Sequence, residues 1–147
     1  MKVLYVRISS LDQRSDRQRV NENEFDLIIE DKCSGSIPLF ERHGGKKLLE
    51  LIEKDIEFTL HVYSIDRLGR NLKDLINTIH FFNEKGIGIH FISQCLKTID
   101  ENGKENPISK MIISILGVVS EMERRNAAQD GECRFKGQCS TQIAIFL

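Results

Sequence analysis

Short apolar, β-rich runs alternate with helical patterns along most of this chain, and that alternation leaves few folds open. Residues 2–8 are β-rich and open the series. Residues 11–24 are polar and charged, compatible with an exposed helix or a helical loop. A second strand is read at 25–30, followed by loop chemistry at Ser34, Gly35, Ser36, Ile37 and Pro38. Residues 45–55 hold Leu48, Leu49 and Ile52 at helical spacing, and 58–63 read as a third strand. An amphipathic helix is expected over 71–85, ended by Gly86, then a fourth strand at 88–93. Residues 96–106 are polar with one glycine and read as a mobile loop. From Pro107 a helix runs to at least Arg125, with proline at a first-turn position where its missing N–H does no harm. Strands alternating with helices predict an α/β fold: an open, mainly parallel β-sheet covered on both faces by helices, with a long C-terminal helix.

The 147 residues suit one domain that can bury a real core. With 29% charged and 40% hydrophobic residues the composition is that of a folded, soluble protein. The longest mostly apolar run, 111–119, is too short to span a bilayer, and the opening residues lack the apolar core of a secretion signal. The chain is therefore expected to stay in the cytoplasm, with no membrane partner. Cys33, Cys95, Cys133 and Cys139 have neither zinc-knuckle spacing nor a histidine at ligand distance, so reduced thiols are expected and no metal. His43, His61, His80 and His90 are equally scattered. A net charge of −1 lacks the basic excess of a free-standing DNA-binding domain, so any DNA affinity must come from a local patch or a partner.

In open parallel sheets, ligands bind beyond the carboxyl ends of the strands. Three polar clusters stand at such ends: Arg7, Ser9 and Ser10; Asp31, Lys32 and Ser34; and Asp66, Arg67, Gly69 and Arg70. A parallel sheet turns all three toward one crevice. Period two puts Arg7 and Ser9 on one strand face, and Arg67 and Arg70, three apart, would point the same way from one helical turn. Phosphoryl transfer gathers negative charge on oxygen, and fixed guanidinium groups stabilise it. Three arginines around one hydroxyl therefore read as a phosphodiester site. Each feature has a plainer explanation: Ser9 or Ser10 can cap a helix, and Arg67 and Arg70 can pair with Asp66 or Asp74 at the surface. None of these explains three clusters at three strand ends.

The same residues resemble a known family. Tyr5, Arg7 and Ser9 followed by Gln13, then Asp31 to Gly35, then Asp66-Arg67-Leu68-Gly69-Arg70, and the helix ending Glu121-Met122-Glu123-Arg124 resemble the serine recombinases of the resolvase/invertase type. The resemblance spans roughly residues 3–125. It implies site-specific DNA recombination: Ser9 as the nucleophile that forms a 5′-phosphoserine link, with Arg7, Arg67, Arg70 and Arg42 binding phosphate. It further implies that Asp66 orients the arginines, that Gln13, Gln18 and Ser34 support the site, and that no metal or nucleotide cofactor takes part. DNA is the implied partner, and the working assembly a homodimer that becomes a tetramer in the recombination complex.

The helix from Ile108 carries more apolar residues than one sheet-facing stripe needs. At about 100° per residue, Ile112, Ile115, Leu116 and Val119 lie on one side, with Ile113 and Val118 well away from it. A second copy is expected to cover the remainder, through Met111, Ile115, Val118 and Met122. The family places Arg124 and Glu123 where this helix approaches DNA. Residues 1–125 are thus expected to form the catalytic domain, with the helix starting at 108. Residues 126–147 depart from the family pattern and are too short for a helix-turn-helix reader, so a truncated catalytic domain is expected. The alternatives are a catalytically idle fragment that pairs with or inhibits an intact recombinase, and a small-molecule binder on a flavodoxin-like sheet, which would leave the arginines unexplained.

Overall fold

A computed structural model describes residues 1–9, 17–19 and 21–136. Its elements are β1 (Lys2–Ile8), β2 (Leu27–Lys32), α1 (His43–Glu53), β3 (Thr59–Val62), α2 (Ile65–Leu68), α3 (Leu72–Glu84), β4 (Ile89–Phe91), β5 (Leu96–Lys97) and α4 (Pro107–Lys136). The sheet runs β2-β1-β3-β4-β5. Its first four strands are parallel and β5 returns antiparallel to β4. The open, mainly parallel sheet expected from the sequence is present.

The steps β2 to β3 and β3 to β4 move the same way across the sheet, so right-handed connections put α1 and α3 on one face. That face is the core. Val3, Tyr5, Leu60, Val62, Ile89 and Phe91 point into it from the strands, and Leu48, Leu75, Phe82 and Ile113 meet them from α1, α3 and α4. The α-helices among the described residues all stand there. The helix or helical loop expected at 11–24 falls mostly outside the described residues. Its end, Glu22–Glu24, is a 3-10 turn entered through Asn21 in the left-handed region.

On the other face His61 and His90 are register partners with ring centroids 5.2 Å apart, and Phe25 packs edge-on against His61 at 5.1 Å. Burial lowers both imidazole pKa values, with Lys97 adding to the effect on each. A histidine whose folded pKa lies below its unfolded value stabilises the fold above the unfolded pKa and loses that contribution as pH falls. Urea unfolding followed downward from neutral pH is therefore expected to show stability declining once pH drops below about 6.5. His61→Phe should flatten that decline, and a wild-type curve already flat there would contradict it.

Boundaries moved for physical reasons. β2 starts and ends two residues later than the apolar run suggests. Asp26 closes its start, its carboxylate accepting from Lys2 N at 2.7 Å, while Asp31 stays in the strand because its side chain faces the core. α1 begins at His43, earlier than expected, because Gly44 and Gly45 let the chain pass close beneath it. A Cβ on Gly45 would lie 1.7 Å from the Leu39 carbonyl oxygen.

The segment expected as a mobile loop at 96–106 is instead an ordered hairpin. β5 pairs with β4, Ile99 bridges Glu105, and the Asp100 carboxylate accepts from the N–H groups of Asn102 and Lys104, both at 2.9 Å. Gly103, at φ 75°, supplies the left-handed turn residue. The polar composition there is turn chemistry.

α4 runs for 30 residues, past Gly131. Of the apolar residues, Ile113, set apart by spacing from Ile115 and Val119, is the one that is 2% exposed, while Ile115 and Val119 are 51% and 45% exposed. The buried stripe is Ser109, Ile113 and Gly117, with Leu116 partly buried beside it. Gly117 decides the orientation: a Cβ there would sit 2.4 Å from a methyl of Leu72, so its absence lets α4 approach α3 closely. Met111, Ile115, Val118 and Met122 are all exposed. No helix among the described residues is long and apolar enough to cross a membrane.

Candidate active site

β3 ends opposite Tyr5, so the last residues of β1 lose their neighbour on that side. The buried amide of Gln18 takes its place, accepting from Arg7 N at 3.2 Å and donating to Arg7 O at 3.1 Å. The Arg7 side chain is fully buried. Its guanidinium donates from Nε to Arg67 O at 3.2 Å, from Nη1 to Cys33 O at 3.2 Å and from Nη2 to Asp66 O at 3.3 Å. One cation thus ties together the ends of β1, β2 and β3. Burial lowers its pKa, and Arg67, Arg42 and Arg70 lower it further.

Arg42 forms a second buried brace. Nε donates to Ile37 O at 2.8 Å, Nη2 to Gly35 O at 3.4 Å, and Nη1 both to the Tyr5 hydroxyl at 3.0 Å and to Arg67 O at 3.2 Å. The Tyr5 hydroxyl donates onward to Asp31 Oδ2 at 2.8 Å, and Asp31 Oδ1 accepts from Gly44 N at 2.7 Å. Burial raises the Tyr5 pKa well above the usual tyrosine value and Asp31 adds to this, while Arg42 opposes it. The hydroxyl therefore stays protonated as the donor this chain requires. The sequence places Asp31 in a strand-end polar cluster and Tyr5 in the family-like opening, but assigns neither a role in the site. Tyr5 reads as a core strand residue, and only the polarity of Asp31 hinted at its role.

The two remaining arginines lie nearer solvent. α2 is a single turn held by buried Ile65 and Leu68, from which Arg67 is partly and Asp66 largely exposed. Arg67 Nε stands 3.7 Å from Asp66 Oδ2, its Nη1 donates to Arg7 O at 3.5 Å, and the Ser64 hydroxyl donates to Asp66 Oδ1. Arg67 and Arg70 do not share a helical turn, contrary to expectation. α2 stops at Leu68, Gly69 is extended, and Arg70 crosses to the loop after β2, where it lies over Gly35. Both nonetheless lie close enough to Arg7 to lower its pKa.

Ser9 follows β1 directly and is half-buried. Ser34 is exposed, and its Oγ sits 2.9 Å from Ser36 Oγ and accepts from Ser36 N at 3.3 Å, bracing the loop. Gln13 lies outside the described residues. Glu123 and Arg124, exposed on α4, line a cleft of about 430 Å³ together with Asp66, Arg70 and Asn71. The long helix thereby borders the arginine cluster.

The model of the resolvase N-terminal domain family matches residues 2–131. The resolvase of transposon Tn501 from Pseudomonas aeruginosa is 31% identical over 123 residues, covering 84% of this chain and 62% of that protein. The DNA-invertase hin of Salmonella typhimurium is 33% identical over 122 residues, 82% of this chain and 59% of the relative. The chain spans about three-fifths of the length of these curated relatives. In fold it is similar to the N-terminal catalytic domain of TP901-1 integrase, with a TM-score of 0.57 and 24% identity over 85% of this chain and 98% of that one. A mainly parallel sheet ending in a braced arginine cluster, and a family match over nearly the whole chain, lead to one assignment: the chain belongs to the serine recombinase family, through its resolvase N-terminal domain.

Proposed function

We propose that residues 1–125 are the catalytic unit of a site-specific DNA recombinase that works in the cytoplasm and cuts DNA through Ser9. The Ser9 oxygen attacks the phosphorus of a phosphodiester. The bond from phosphorus to the 3′ oxygen breaks, and the 3′ hydroxyl leaves carrying a proton. The 5′ phosphate remains on Ser9. Attack by a 3′ hydroxyl on that link reverses the step and restores serine, so no external energy source is needed. Asp66, beside Arg67 and Ser64, is the group suited to take or return the proton.

The observation that carries this reading is the division of labour among the arginines. Arg7 and Arg42 spend their donors on main-chain carbonyls and the Tyr5 hydroxyl, holding the loops and fixing positive charge below the site. Arg67 and Arg70 reach solvent, where a phosphate can meet them. Preorganised donors of this kind supply the charge stabilisation that a metal supplies in other phosphoryl-transfer enzymes. With the chain joined to a DNA-binding module of known site, Arg70→Ala is expected to slow strand cleavage by about 10²–10³-fold at unchanged DNA affinity. Cleavage by the unaltered chain should persist in EDTA. A wild-type rate for Arg70→Ala, or cleavage lost to EDTA and restored by magnesium, would contradict the reading.

Assembly follows from α4. Met111, Ile115, Val118, Val119 and Met122 are 67%, 51%, 45%, 45% and 58% exposed, an apolar patch that a folded protein seldom leaves open. A twofold dimer across it, doubled to a tetramer on DNA, would bury the patch and set Glu123 and Arg124 of both copies toward the phosphate backbone. Sedimentation over a range of concentrations should show a monomer–dimer equilibrium that Val118→Glu or Met122→Glu shifts to monomer. A strict monomer at high concentration, indifferent to these changes, would count against it.

A further inference from the structure

Gly86 and Gly103 adopt left-handed backbone, with φ of 72° and 75°, and there glycine meets a backbone need. Gly35 is a different case. It is buried, and its φ lies outside the left-handed region, so its backbone alone would accept any residue. What has no room is a side chain. A Cβ on Gly35 would stand 2.8 Å from Nε, 2.9 Å from Cδ and 2.9 Å from Cγ of Arg70. Three consecutive atoms at that range mean that the Arg70 stem lies flat across the bare Cα.

The main chain of Arg70 is fixed just before α3, whose N-cap Asn71 accepts from Lys73 N at 3.0 Å. Its side chain is exposed and has four torsions of its own, so holding the guanidinium in one place needs a surface to lie on. Gly35 provides that surface, and its carbonyl also accepts from Arg42 Nη2 at 3.4 Å. Two arginines from different segments thus meet at one glycine.

We propose that Gly35 is a positioning residue for Arg70: its bare Cα is the seat that fixes the Arg70 guanidinium at the mouth of the arginine cluster. The atoms a methyl at position 35 would strike belong to a flexible stem, so Gly35→Ala displaces Arg70 without forcing the fold apart. The geometric claim stands apart from function. Its consequence, a weaker hold on phosphate, rests on the phosphodiester reading above.

The test uses the full chain labelled with ¹⁵N-arginine, as wild type and as Gly35→Ala, with Arg70→Lys identifying the Arg70 side-chain signal. In the wild type, Arg70 should give an Nε–Hε signal resolved from those of freely exposed arginines, and an Overhauser contact from its δ protons to the Gly35 α protons. In Gly35→Ala that signal should move to the exposed-arginine position, while the amide signals of the core residues Leu48, Leu60 and Phe82 stay in place. Inorganic phosphate should shift the wild-type Arg70 signal, with about three- to tenfold weaker binding in Gly35→Ala, the loss expected when one long side chain must be ordered anew. No wild-type contact between Arg70 and Gly35, or an Arg70 signal unchanged in Gly35→Ala, overturns the proposal. A contact present in the wild type and lost in Gly35→Ala, with no response to phosphate in either protein, supports the seat and counts against the phosphodiester reading instead.

Discussion

Replacing Asp31 with alanine is expected to destabilise this chain by about 3 kcal/mol or more, because the change orphans two buried donors at once. Asp31 is 4% exposed and accepts from the Tyr5 hydroxyl on one oxygen and from Gly44 N on the other. Without it, the Tyr5 O–H and the Gly44 N–H lose their acceptor in a buried setting. The loss also reaches Arg42, whose Nη1 leans on the Tyr5 hydroxyl and whose charge is buried. Removing the buried anion nearest to a buried cation adds to the cost. Asp31→Asn keeps the shape and can still accept from Tyr5, but it turns an amide N–H toward Gly44 N, so an intermediate loss is expected. Tyr5→Phe should cost least, since Arg42 Nη1 retains the Arg67 carbonyl. Urea unfolding with an unchanged denaturant slope measures the series. For a chain of this size the Asp31→Ala loss corresponds to a fall in Tm of roughly 10 °C. A loss below about 1 kcal/mol for Asp31→Ala would mean that the network contributes little to stability.

The strands and helices were legible because each rests on a local signal. β1 was read at its observed bounds, and α3 lies within one residue of its expected ends. Asn71 caps the start of α3 with its side chain, and Gly86 follows its end with a left-handed backbone. The clustering of polar residues at strand ends was legible as well, since parallel topology alone brings them together. What could not be read depends on tertiary contact. Hydrophobic counting cannot tell which stripe of α4 faces inward when the deciding residue is Gly117, which has no side chain to count. The hairpin at Leu96–Lys97 looked like a loop because its order comes from Asp100 capping a turn, and charged turns resemble solvated ones. Arg7 and Arg42 read as phosphate-facing cations, and nothing local to either residue announces that carbonyls of the 33–37 loop and of the turn at 66–67 enclose them. The shared turn expected of Arg67 and Arg70 fails because Gly69 ends the turn and Gly35 receives Arg70.

The proposed strand cleavage depends on Ser9. Ser9 follows β1, whose end is held by Gln18 and by the hydrogen bonds of Arg7, and Arg67, Arg42 and Arg70 lie close enough to Arg7 to lower its pKa. A serine hydroxyl is a weak nucleophile at its free pKa, and a surrounding positive potential favours its oxyanion. In the proposed mechanism Ser9→Ala removes the attacking atom. It should therefore reduce strand cleavage by at least about 10³-fold while DNA binding through a joined module stays as it was. Ser10→Ala should leave cleavage in place. The most direct measurement is mass spectrometry of peptides from a cleavage reaction stopped by denaturation, with the DNA digested to short remnants. A nucleotide joined through its 5′ phosphate to Ser9, absent from the Ser9→Ala protein, is the predicted result. A remnant on any other residue, or cleaved DNA with a free 5′ phosphate and no protein adduct, would contradict it.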